Sequence, residues 1–63
     1  MKFTLSIDTD NAAFEDDTAR EIARILRATA GRIGREGLSG FFETIHDVNG
    51  NDVGQYALKP DNG

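Results

Sequence analysis

Phe3, Leu5 and Ile7 alternate with Lys2, Thr4, Ser6 and Asp8. A period of two predicts a strand over about residues 2–8 with one buried face. Its register should be firm, because a slip of one residue turns all three apolar groups to water. The stretch from Asp8 to Asp16 reads as a loop, since Asp8, Asp10 and Asn11 bond readily to nearby backbone N–H groups. Phe14 breaks the polarity of this loop and is expected to pack against the start of a helix. That helix is expected over about residues 17–35. Asp17 or Thr18 is its cap, and Glu21 completes a capping box if the cap is Thr18. Ala19, Ile22, Ala23, Leu26, Ala30 and Ile33 recur at three- and four-residue spacing and form one apolar stripe, flanked by Ile25 and Thr29. Gly31 and Gly34 each cost about 1 kcal/mol relative to Ala, which favours fraying of the last turns. Gly37 terminates the helix, with Arg32 and Arg35 suited to its negative end.

Residues 41–47 and 53–59 read as two further strands around Asp47-Val48-Asn49-Gly50-Asn51-Asp52. Asn-Gly between strand-like runs is a strong hairpin signal. A two-residue turn places Phe41, Ile45, Tyr56 and Leu58 on one face. A longer turn with a bulge shifts that register, and both remain open. Residues 60–63 are expected to form a loose tail. The elements predict one domain over residues 1–63, in the α+β class. It is a two-layer β-α-β-β arrangement whose three-stranded sheet is covered on one face by a single helix. If the first crossover joins parallel strands, it should be right-handed. The other sheet face is expected to carry Phe42, Thr44, His46 and Val53.

At 63 residues the chain buries only about 60 % of its unfolded surface, so its net stability should be about 3–5 kcal/mol. It has no Cys, which excludes disulfides and thiolate metal sites. The N-terminal residues are too polar for a signal peptide, and no apolar run reaches the length of a membrane span. A cytoplasmic location is therefore expected. Eleven acids against seven bases leave a formal charge of −4. That argues against a conventional nucleic-acid binder, which usually carries a basic face, and permits a partner that is itself basic.

No catalytic set emerges. His46 stands alone, and its neighbour Asp47 points to the opposite face of a strand. Ser6 and Ser39 lack the surroundings of a nucleophile elbow. Asp47, Asn49 and Asn51 match the first, third and fifth ligands of a calcium loop. The match fails at Asp52, where Gly is needed, and at Leu58, where Glu is needed. No metal site or cofactor is assigned. The glycines at 31, 34, 37 and 40 do not follow a strand, so they do not form a phosphate loop. Two charged features remain. Arg20, Arg24, Arg27 and Arg35 lie opposite the apolar stripe and could face phosphates or an acidic patch. Asp8, Asp10, Glu15, Asp16, Asp17, Asp47 and Asp52 would form a negative patch if the strand order gathers their loops at one end.

The strand Met1-Lys2-Phe3-Thr4-Leu5-Ser6-Ile7, the segment Asp10-Asn11-Ala12-Ala13-Phe14, the helix from Arg20 to Arg27 and the stretch from Asp47 to Gly54 together resemble small acidic proteins encoded by tailed bacteriophages and prophages. The resemblance covers most of the chain and carries no functional residues with it. It implies a stoichiometric inhibitor in the cytoplasm of a host bacterium, of the kind that blocks CRISPR effectors or restriction enzymes. The expected partner is a host protein complex with a basic nucleic-acid-binding surface. The acidic loops would engage it, with Phe42 and Tyr56 as exposed aromatic anchors. One alternative is a small nucleic-acid-binding or regulatory protein using the arginine row. Another is a self-associating module, a homodimer joined through strand edges or the open sheet face.

Overall fold

The computed structural model describes residues 1–38 and 41–60. Ser39, Gly40 and the last three residues of the expected tail lie outside the described residues. The elements run β1 (Lys2–Ile7), a 3₁₀ turn (Ala12–Phe14), α1 (Thr18–Glu36), β2 (Glu43–His46) and β3 (Asp52–Lys59). The sheet order is β1-β3-β2, and β3 is antiparallel to both neighbours. β1 and β2 are therefore parallel to each other, with the last strand inserted between them. α1 packs on one face, and the small α+β fold expected from the patterning is what the chain adopts.

Local chemistry explains the helix ends. The Asp17 carboxylate accepts the Arg20 N–H at 3.0 Å, so Asp17 is the cap. Thr18 instead donates its hydroxyl to the Phe14 carbonyl at 2.8 Å, tying the helix to the 3₁₀ turn. α1 runs unbroken through Gly31 and Gly34 and stops at Gly37, whose φ of 75° suits a residue without Cβ. The helix is continuous across both inner glycines.

The face of α1 that is buried differs from the expected stripe. Glu21, Ile25 and Thr29 are buried, whereas Leu26 is 44 % exposed and Ala19 and Ala30 face solvent. The buried line is turned by one residue step, about 100°, from the line of Ile22, Leu26 and Ala30. Apolar side chains span a wide arc of this helix, and a three-stranded sheet covers only part of it. A polar tether selects the part, because Glu21 accepts the Val48 N–H of the hairpin at 3.3 Å and draws that flank down. Ile22 and Ile33 pack at the margin of the core.

The core consists of Phe14, Ile25, Ile45, Val53 and Tyr56. Phe14, at 1 % exposure, fills the gap between the loop and α1. Val53 was expected on the open face and is inside. The hairpin takes the longer of its two possible turns, with Gly50 donating to the Asp47 carbonyl at 3.0 Å and holding φ at 83°. A bulge follows, since His46 pairs with Asp52 while Ile45 pairs with Gly54. Val53 then has no partner on β2 and turns inward. β2 is also shorter than expected: Phe41 and Phe42 precede it, at 78 % and 55 % exposure.

Gly54 sits in the middle strand opposite both Ile7 and Ile45. A Cβ built there runs into the Ser6 carbonyl oxygen and lies 3.1 Å from Ile7 Cα. The neighbours are backbone, so they cannot step aside without parting β1 from β3. Gly54→Ala is therefore expected to destabilise the domain by about 2 kcal/mol or more. A urea titration followed by far-UV circular dichroism measures this; an unchanged midpoint would contradict the close approach of the strands.

Candidate functional acidic end

The topology sorts charge by position. β1 ends, α1 begins, β2 ends and β3 begins at the same end of the sheet. Every loop at that end is acidic. Asp8, Asp10, Glu15, Asp16, Asp17 and Asp52 are exposed there. Asp8, Asp10 and Asp52 line one surface depression together with Asn11 and Val53. The Asp8 carboxylate accepts the Asp10 N–H at 3.0 Å, and Asn11 accepts the Ala13 N–H at 3.1 Å, so side chains brace this loop. Glu15, Asp16 and Asp17 precede α1, at the positive end of its dipole. The opposite end carries Lys2 directly across from Lys59, with Arg35 in the last helical turn.

Asp47 belongs to this end in sequence but not on its surface. It is 6 % exposed. Its Oδ1 accepts the N–H groups of Asn49 and Asn51 at 2.8 and 2.9 Å, and its Oδ2 accepts the Asn51 amide at 3.3 Å. The residues that resembled part of a calcium loop are thus a hairpin turn closed by one carboxylate. Burial pushes the Asp47 carboxyl up, but the Asn51 and Asn49 bonds outweigh it, and the net shift is below the ordinary range. Asp47 must be removed from the set of contact acids.

Glu21 is the other buried carboxylate among the described residues. Arg24 donates to it from Nε and Nη2, each at 2.8 Å, and Val48 adds its N–H. The Arg24 hydrogen bonds hold its carboxyl below the ordinary range against the opposing effect of burial. The same bonds raise Arg24. Arg24 is therefore engaged within the chain. Arg20, Arg24 and Arg27 also line a shallow groove with Asp16 and Asp17, so the arginine row is interleaved with acids over its first half. Arg35 lies at the far end.

Tyr56, expected as an exposed anchor, is 2 % exposed and belongs to the core. Its strand position faces α1, and Arg32 lies 5.9 Å above its ring. Phe42 is exposed but stands before β2, at the basic end, with Lys59 Nζ 4.8 Å from its ring centre. It does not share a surface with the acids. Val48 on the hairpin, at 65 % exposure, is a large apolar side chain that does sit at the acidic end. Nothing in its local sequence marks it as exposed, since that depends on where the turn begins. His46 is exposed and lines a cleft between α1 and β2 with Arg24, Thr29, Arg32 and Thr44.

The sequence assigns Arg32 to the negative end of the helix, but the structure gives it tertiary contacts. It bonds Glu43 Oε2 at 2.8 Å and the Thr44 carbonyl at 3.3 Å, and lies 3.5 Å from Glu36. Its spacing of three and seven residues from Thr29 and Ile25 was the available signal, because it puts Arg32 beside the buried line. Among the described residues, no helix is long and apolar enough to cross a membrane.

Glu21 and Asp47 hold protons less tightly in the folded than in the unfolded chain. Their stabilisation is complete above the unfolded carboxylate values of about 4 and is lost as pH falls through the lowered folded values. Urea midpoints are expected to stay level from neutral pH to about 5 and to drop below about 4. Glu21→Gln should start lower and show a shallower acid decline. Parallel curves for parent and variant would show that Glu21 contributes nothing to the acid response.

No protein-family model matches the chain, and no match was found among curated proteins or solved structures.

Proposed function

We propose that the protein acts by stoichiometric binding, presenting its acidic end to a basic, nucleic-acid-binding surface of a host protein. The observation that carries this reading is the gathering of Asp8, Asp10, Glu15, Asp16, Asp17 and Asp52, all exposed, at one end of the sheet. Carboxylates so placed match a surface that otherwise pairs with phosphates, and complementary charge speeds encounter and fixes orientation. The resemblance to phage-encoded proteins supports an inhibitor of a defence or nucleic-acid-processing complex, an anti-CRISPR among them, working in the bacterial cytoplasm. Val48 offers exposed apolar contact area at the same end, which the buried Tyr56 and the distant Phe42 do not.

The rival use of the arginine row is disfavoured by its pairing. Arg24 is held by Glu21, and Asp16 and Asp17 line the same groove as Arg20, Arg24 and Arg27. A phosphate backbone brought there would meet carboxylates as well as guanidinium groups.

Two charge-reversed variants test the reading, one with Asp8, Asp10 and Asp52 changed to Lys and one with Asp16 and Asp17 changed to Lys. The parent is expected to capture a protein partner from bacterial lysate, identified by mass spectrometry, with affinity that weakens as salt rises. Each variant is expected to bind that partner at least about tenfold more weakly. Unchanged affinity in both variants would remove the acidic end from the account, and a low-salt gel shift that Arg24→Glu abolishes would favour the arginine row.

A further inference from the structure

The two edges of the sheet are unlike. β2 is four residues long, and Arg32 bonds the outward carbonyl of Thr44, so its edge is covered. β1 is six residues long, and its pairing with β3 shows no bulge. From Phe3 to Ile7 it has no charged residue and no Pro. Among the described residues nothing pairs with its outer side. The Asp8 N–H donates to the Val53 carbonyl at 2.7 Å, which sets the alternation: even residues of β1 face β3. The backbone groups of Phe3, Leu5 and Ile7 then point outward.

An apolar strip runs alongside. The flank of α1 bearing Arg24, Ala28 and Arg32 faces β2. The opposite flank, on the β1 side, carries Ala19, Leu26 and Ala30, all exposed. This is the part of the apolar stripe that the single chain leaves uncovered. Phe3, at 46 % exposure, continues it on the sheet.

We infer that β1 is a dimerisation edge and that its occupant is β1 of a second copy, antiparallel about a two-fold axis at Leu5. Outward-facing residues must pair with outward-facing residues, which permits only registers in which odd residues meet odd residues. The register of greatest overlap sets Leu5 opposite Leu5, Phe3 opposite Ile7, Thr4 opposite Ser6 and Lys2 opposite Asp8. Both ends of the strand then carry an opposite-charge pair. Lys2 in the single chain lies directly across from Lys59, an unfavourable like-charge pair, and Asp8 of the second copy relieves it. The antiparallel arrangement also sets the acidic end of each copy beside the basic end of the other. The product is a six-stranded sheet with both helices on one face, and the strips of Leu26 and Ala30 turned toward the axis. A second copy supplies this reciprocal charge match from its own sequence.

The isolated full chain suffices for the test, so it is independent of the inhibitor reading. Sedimentation from low micromolar to submillimolar concentration is expected to show a monomer–dimer equilibrium. Lys2→Asp and Asp8→Lys should each weaken the dimer about tenfold, since each makes two like-charge pairs, and the double swap should restore it to within about threefold of the parent. Hydrogen exchange on the parent needs no variant. The Phe3, Leu5 and Ile7 amides should gain protection with concentration, while those of Thr4 and Ser6 stay protected throughout. A parent that remains monomeric, a double swap as weak as the singles, or association without protection of those three amides would overturn the inference.

Discussion

The hairpin closed by Asp47 is the constraint on which the remaining structure depends. One carboxylate satisfies the N–H groups of Asn49 and Asn51, and the turn it closes has room for a bulge. The bulge turns Val53 inward and leaves Ile45 and Tyr56 beneath Ile25. The same turn brings the Val48 N–H to Glu21, which orients α1. In a domain this small the core has few large side chains, so the position of each matters. A shift of the turn by one residue would exchange the faces of β3 and remove Tyr56 from the core.

Charge segregation follows from connectivity. An antiparallel strand inserted between two parallel ones places four element ends together. The loops there are rich in Asp and Glu because they are turns and a helix start, where those residues bond free backbone N–H groups. The acidic end is thus partly a by-product of folding chemistry. Its carboxylates beyond the caps, among them Asp10, Glu15, Asp16 and Asp52, are exposed to solvent. Asp47 and Glu21 serve the fold instead.

Arginine plays two parts along one helix. Arg32 is drawn into the sheet edge, where it bonds Glu43 and Thr44 and lies over the Tyr56 ring. Its fork of donors meets a carboxylate and a carbonyl while the guanidinium lies over a ring. Arg24 lies on the same flank and neutralises the buried Glu21. One flank of α1 is therefore fastened by polar contacts and the other is left apolar, and the two edges of the sheet inherit that difference.

Much of the fold was legible in the chain. Alternation in residues 2–7, a cap at Asp17 or Thr18, the stop at Gly37 and the turn around Asn49-Gly50 each arise from local steric and hydrogen-bonding rules, which act within a few residues; the structure chose Asp17 as the cap. The candidate acids were legible too, as residues, but their meeting at one end awaited the strand order. What only the tertiary structure decided concerns choice among local equals. Ile25 rather than Leu26 is buried, Val53 and Tyr56 are inside, and Asp47 is enclosed, although their neighbours offer similar polarity or size. Periodicity states that a helix has an apolar arc wider than the sheet beneath it. Which part of that arc is covered depends on contacts between residues as far apart as Glu21 and Val48, and no local pattern encodes that distance.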